Sequence, residues 1–175
     1  MAPSIFFSVL AFSSAVLSAP LASRSESWPV PSMKAHFMGR DTGIPGNDWS
    51  GHEFNSTLDF SVSFPSGAVA CSGNWTYTHV PTTPFACAAE GVQFYLSPTS
   101  AGTFTETAFT LSVTKTETDA NGTQKQLVGS HDVVGNSAGQ PNSYLTCIGG
   151  PPYDGIRCDI TGWASTAGSL TLVAV

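Results

Sequence analysis

The sequence predicts an all-β protein: a compact antiparallel β-barrel or sandwich of about nine or ten short strands with two disulfides. Three observations carry this reading. Short stretches in which apolar and polar residues alternate recur along the chain, as in Leu58-Asp59-Phe60-Ser61-Val62-Ser63-Phe64. That period of two belongs to strands with one face in a core and one in water. Gly, Pro and Asn separate these stretches, and none sustains a helical period. Finally, Cys71 and Cys87, and then Cys147 and Cys158, form two closely spaced pairs.

Taken in order, residues 1–18 hold the apolar runs Ile5-Phe6-Phe7-Ser8-Val9-Leu10-Ala11-Phe12 and Ala15-Val16-Leu17 and end in small residues. This is the pattern of a secretory signal peptide, although no Lys or Arg precedes it. The run falls short of the roughly 20 apolar residues that span a bilayer. Residues 19–31, rich in Pro and Ser, read as a flexible N-terminal arm. A single β-barrel domain is expected over residues 32–175. Residues 33–40 read as its first strand and residues 41–51, with three glycines, as a loop.

The centre of the chain is the stretch from Phe54 to Leu96. Leu58 to Phe64 is a strand, Pro65-Ser66-Gly67 a turn, and Ala68-Val69-Ala70-Cys71 the returning strand. Ser72-Gly73-Asn74 reads as a break, after which Trp75, Tyr77 and Val80 alternate with polar residues. Val92-Gln93-Phe94-Tyr95-Leu96 is a further strand. Phe109, Leu111 and Val113 share one parity, as do Leu127, Gly129, His131 and Val133. Asn121-Gly122 lies between them, so residues 108–133 read as a long hairpin. Short strands around Cys147 and Cys158 flank a Gly- and Pro-rich turn. Ser169 to Ala174 reads as the last strand, ending inside the fold.

At 175 residues the chain suggests one domain. Charged residues make up 10% of it, well below the roughly 25% of ordinary soluble domains, so Ser, Thr, Gly and Asn supply the polar surface. The net charge of −6 argues against a nucleic-acid partner and offers no basic patch for anionic lipid. An even cysteine count in a secreted chain reads as disulfides. Of the three pairings open to four cysteines, Cys71–Cys87 and Cys147–Cys158 are favoured because each closes a short loop. The spacings are not those of a zinc motif.

No motif names a reaction. His36, His52, His79 and His131 are dispersed and lack the spacing of a metal site. Asp59, Glu90, Glu106, Asp132, Asp154 and Asp159 are candidates for a glycosidase carboxylate pair, but spacing alone cannot pair them. There is no GxSxG element, P-loop or dinucleotide fingerprint, and no cofactor is expected. Asn55-Ser56-Thr57, Asn74-Trp75-Thr76 and Asn121-Gly122-Thr123 are sequons, which makes Asn55, Asn74 and Asn121 candidate N-glycosylation sites. Trp28, Trp49, Trp75 and Trp163 are candidates either for stacking on sugars or gripping a partner, or for core packing.

Phe37-Met38-Gly39-Arg40, Leu58-Asp59-Phe60-Ser61-Val62, Cys71, Phe85-Ala86-Cys87 with Phe94 after it, Cys147, Cys158 and the terminal Leu-Thr-Leu-Val strand together resemble the Alternaria alternata major-allergen family. The resemblance covers roughly residues 33–175. It implies a secreted fungal β-barrel with disulfides Cys71–Cys87 and Cys147–Cys158 and no established enzymatic activity. It implies an allergen-like effector or elicitor that binds a host extracellular protein, with thaumatin-like plant defence proteins as the expected class. Some members dimerise through an additional N-terminal cysteine. This chain has none before Cys71, so a monomer without that covalent dimer is expected. The alternatives are a small carbohydrate-binding protein or glycoside hydrolase on a β-sandwich, and a structural cell-wall protein. The loops at residues 41–51 and 135–143 are where binding specificity would sit.

Overall fold

The alternation of apolar and polar residues becomes an alternation of buried and exposed positions in eleven strands, and the described residues include no helix. The computed structural model describes residues 25–38, 53–76, 81–119, 121–149, 155–165 and 167–175. The segments expected as a signal peptide at residues 1–18 and as a loop at 41–51, and most of the expected Gly- and Pro-rich turn, residues 150–154, lie outside them.

Strands β1 (Glu26–Val30) and β2 (Ser32–Phe37) are separated by Pro31 alone. β3 (Asn55–Phe64) and β4 (Gly67–Thr76) form the first hairpin, turning at Pro65 and Ser66. The two-residue β5 (Phe85–Ala86) leads to β6 (Val92–Ser97). β7 (Ala108–Thr118) and β8 (Gln124–Gly135) are the long hairpin expected from Asn121-Gly122, and Gly122 takes a φ of 82° at its tip. β9 (Ser143–Ile148), β10 (Ile156–Asp159) and β11 (Leu170–Ala174) complete the chain.

The strands run β4-β3-β2-β10-β9-β8-β7-β6-β5 across one sheet. Its two ends meet at a bridge between Cys71 and Cys87, and the Ala88 amide donates to the Ala70 carbonyl at 2.8 Å. The Cys71–Cys87 disulfide crosses this seam, so the sheet is a nearly closed barrel fastened by a covalent clasp. The second disulfide joins directly opposed residues of β9 and β10. β1 leaves the path and pairs with β11, which docks on β8 at Gly129 and Ser130. All pairings are antiparallel except β8 with β9. A parallel pair normally needs a long crossover. Here only the last two residues of β8 meet the start of β9, and a seven-residue turn suffices.

Two expectations are corrected. The arm at residues 19–31 is not loose throughout, because Glu26–Val30 forms β1 and its Trp28 is completely buried. Pro29 and Pro31 hid this strand. Pro29 is tolerated because it faces solvent on a strand paired along β11 only. Nor do Ser72-Gly73-Asn74 break a strand: β4 runs unbroken to Thr76. A Cβ on Gly73 would lie 2.8 Å from the Phe94 ring and 2.9 Å from that of Phe85. The glycine marks a close approach inside the barrel.

The interior is filled from every strand except β5, whose Phe85 packs half-buried at its margin. Phe94 is completely buried, edge-on to Phe60 at 4.9 Å and stacked on Phe85 at 5.0 Å between ring centres. Trp28 meets Phe64 edge-on at 4.9 Å and fits because Gly129 opposite has no side chain. Each such side chain contributes about 1.5–3 kcal/mol on burial.

Candidate functional site

With the apolar residues turned inward, the opposite parity of each strand decorates the outside. On β2 that parity is Lys34 and His36, on β3 Thr57 and Asp59, on β10 Arg157 and Asp159, and on β9 Thr146 and Ile148. Register aligns these residues in two rows. One runs Ser72–Asp59–Lys34–Asp159–Thr146 and the other Asn74–Thr57–His36–Arg157–Ile148, each from β4 to β9. From β3 to β9 the rows floor an open groove of about 550 Å³, walled on its β9 side by Gly162 and Trp163.

That wall is built rigidly. The Ala164 amide donates to Thr146 Oγ1 at 2.9 Å, Ser165 Oγ donates to the Tyr144 carbonyl at 2.7 Å, and the Ser165 amide donates to the Gly162 carbonyl at 3.1 Å. Gly162 lies so close on Thr146 that a Cβ would overlap its side chain at 2.0 Å. The turn begins at Asp159, whose Oδ1 accepts from the Thr161 amide at 2.9 Å and from Thr161 Oγ1 at 2.7 Å. These bonds, and to a lesser degree the Lys34 ammonium opposite, hold the Asp159 carboxyl below its ordinary value. On this pinned turn Trp163 is 88% exposed, and Ile148 beside it is 60% exposed. Trp28 and Trp75 are core residues, and Trp49 lies outside the described residues.

His36 stacks on Phe54 at 4.4 Å between ring centres. Tyr144 and His131 Nε2 are 2.9 Å apart in a separate hydrogen bond. The residues that follow β8 line a second, more open hollow with Thr110, His131 and Asp132. There the Asp132 carboxylate accepts from the Ser100 hydroxyl and amide and from the Thr110 hydroxyl. Those bonds, led by the Ser100 hydroxyl, hold its pKa below the ordinary value.

Of the sequence candidates, the structure brings together His36, Asp59, Asp159 and Trp163 in the groove, and His131 with Asp132 in the hollow. Glu90 and Glu106 join neither. His52, His79 and Asp154 lie outside the described residues. Asp59 and Asp159 stand two strands apart, about 10 Å, with Lys34 between them. Lys34, Arg157 and Ile148 belong to the groove but were not singled out from sequence. Parity places them outward, and only the order β3-β2-β10-β9 makes them neighbours. Cys71, Cys87, Cys147 and Cys158 form the two expected disulfides. Asn55, Asn74 and Asn121 are all exposed. Among the described residues, no group of three His, Cys, Asp or Glu side chains is placed to hold a metal ion.

Comparison of the chain with models of known protein families, with curated protein sequences and with solved structures found no match.

Proposed function

We propose that this chain is a secreted, effector-like β-barrel glycoprotein, similar to the fungal allergens it resembles. It acts outside the cell by binding a host protein through the groove on β3, β2, β10 and β9, and it catalyses no reaction. The observation that carries this reading is Trp163: a large aromatic side chain, 88% exposed, on a turn already fixed by hydrogen bonds to β9. An exposed aromatic anchor that loses little freedom on binding is the usual centre of a protein interface. The alternating charges on the groove floor suit a polypeptide surface rather than an apolar ligand.

The electrostatics weigh against a hydrolase. A glycosidase general acid has its pKa raised so that it stays protonated. Asp159 moves the other way, and the Lys34 ammonium stands between it and Asp59. Two short-range disulfides suit an oxidising compartment. By resemblance the partner is a plant defence protein of the thaumatin-like class, and its capture is the route by which the chain would blunt or elicit defence.

The test is calorimetric titration of a purified plant thaumatin-like protein with the mature protein and with Trp163→Ala. Saturable binding that weakens at least about 30-fold in the variant is expected for a hot-spot residue. Binding that survives the substitution unchanged overturns the groove assignment. No binding by the unaltered protein overturns the partner.

A further inference from the structure

The groove has one built wall, at Trp163. On the other side its lining ends at Thr57 and Asp59 of β3, and next to β3 lies β4, the last strand on that side of the sheet path. Two sequons interlock there. Asn55 pairs with Thr76 and Thr57 pairs with Asn74, so each asparagine faces the acceptor hydroxyl residue of the other sequon. The middle residues, Ser56 and Trp75, are buried, while Asn55, Asn74 and Thr76 are exposed. Strand parity therefore commits both sequons to the outer face. Asn74 ends the row that continues through Thr57, His36 and Arg157 to Ile148.

We infer that Asn74 carries an N-glycan that forms the second wall of the groove. This inference rests on the reading of the chain as secreted and of the groove as its binding face. A sugar on Asn74 rises about 10 Å from His36, two strand spacings away, and about 19 Å from β9. The outer face then becomes a channel open along the strands and closed at both sides. Such a channel admits a single loop or extended segment of a partner protein and excludes a broad flat surface. Asn121, at the β7–β8 tip, lines no part of the groove, so a glycan there leaves access unchanged.

The experiment uses the full chain secreted from a eukaryotic host, beside Asn74→Gln and Thr76→Ala, which abolish the same sequon through different residues. Glycopeptide mapping is expected to find the Asn74 peptide of the unaltered protein modified. Lys34 on the groove floor is then acylated with a small acetylating reagent and with a bulky biotinylating one, and exposed Lys125 serves as internal reference. The bulky reagent is expected to react with Lys34 several-fold faster in both variants than in the unaltered protein, with the small reagent and Lys125 unaffected. A bare Asn74, or equal rates with the bulky reagent, overturns the inference. Neither readout uses a partner, so failure here leaves the binding role of the groove to the Trp163 titration.

Discussion

The side-chain amide of Asn136 grips the backbone of Cys147 at both its polar atoms. Oδ1 accepts from the Cys147 amide at 2.9 Å, and Nδ2 donates to the Cys147 carbonyl at 2.6 Å. Asn136 follows directly on β8, where the register with β9 shifts between Val134 and Gly135. The ladder ends there, and the asparagine side chain replaces the missing strand on that edge of β9. It does so from a φ of 54°, a left-handed conformation that asparagine tolerates better than most residues. The residue it holds is half of the Cys147–Cys158 disulfide.

Asn136→Ala is expected to destabilise the fold by about 2–4 kcal/mol, from two lost hydrogen bonds and the strain of a left-handed alanine. Asn136→Gly loses the same bonds without the strain and should recover about 1 kcal/mol of that loss. Denaturant unfolding of both variants measures the difference. Equal stabilities would mean that the left-handed conformation is not retained.

Gly73 is expected to resist even alanine. The added carbon would press on the Phe94 and Phe85 rings at the seam, where the aromatic stack backs the Cys71–Cys87 bridge. Over-packing of this kind costs about 1–3 kcal/mol, to be read from the shift in the denaturation midpoint. Gly67, at the β3–β4 turn with a φ of 131°, has open space around it. Gly67→Ala therefore tests backbone strain alone and should leave the near-ultraviolet signal of the aromatic core intact.

Gly73 also shows where reading the sequence stopped short. Strand parity identified Leu58, Phe60, Val62, Phe109, Leu111 and Val113 as core, because period two depends only on neighbours along the chain. A glycine between polar residues reads as a break, and only the positions of Phe85 and Phe94, remote in sequence, reveal it as a packing contact. β1 was lost for a similar reason: two prolines mask a strand whose pairing with β11 joins opposite ends of the chain. The groove was least legible. His36, Asp59, Asp159 and Trp163 were visible as residue types, but their convergence follows from β10 inserting between β2 and β9.

Asp132 gives the pH response a definite sign. Hydrogen bonds from Ser100 and Thr110 lower its folded pKa below the ordinary 3.8. A depressed carboxyl contributes stability that is fully present above its unfolded pKa and lost as pH falls through the folded one. Asp159, lowered by Thr161, acts in the same direction. Stability should therefore be level above about pH 5 and decline below the ordinary carboxylate pKa. Asp132→Asn should show a shallower decline between pH 4 and pH 2, followed by thermal unfolding. An unchanged slope would mean that the Ser100 and Thr110 bonds do not persist in solution.

Trp163 should be dispensable for folding. It lies almost wholly in solvent, and the turn beneath it is held by Thr146, Ser165 and Asp159. Trp163→Ala should shift unfolding by no more than about 0.5 kcal/mol, as surface substitutions do. Thr146→Val removes the acceptor for the Ala164 amide while keeping the strand, and should loosen the turn. Acrylamide quenching and hydrogen exchange at residues 161–165 would register that loosening, and partner binding should weaken although Trp163 is still present.

The two disulfides should differ in their response to reductant. Cys147 and Cys158 are both buried, at 8% and 3% exposure, and the Asn136 amide braces the chain around Cys147. In the other bridge Cys71 is buried at 2%, but Cys87 is only partly buried at the seam. Thiolate attack needs access to a sulfur, so Cys71–Cys87 should open first under limiting reductant. Its loss frees the clasp between the two ends of the sheet and should expose Phe85 and Phe94, read as increased binding of an apolar dye. Each bridge is worth about 3 kcal/mol in the chain-entropy model, since the closed loops are of similar length. Paired alanine substitutions should therefore cost similar stability at equilibrium, while only Cys71→Ala with Cys87→Ala should raise dye binding under native conditions. Alkylation and peptide mapping during partial reduction establish the order directly. If Cys147–Cys158 opened first, the seam would not be the weak point of the barrel.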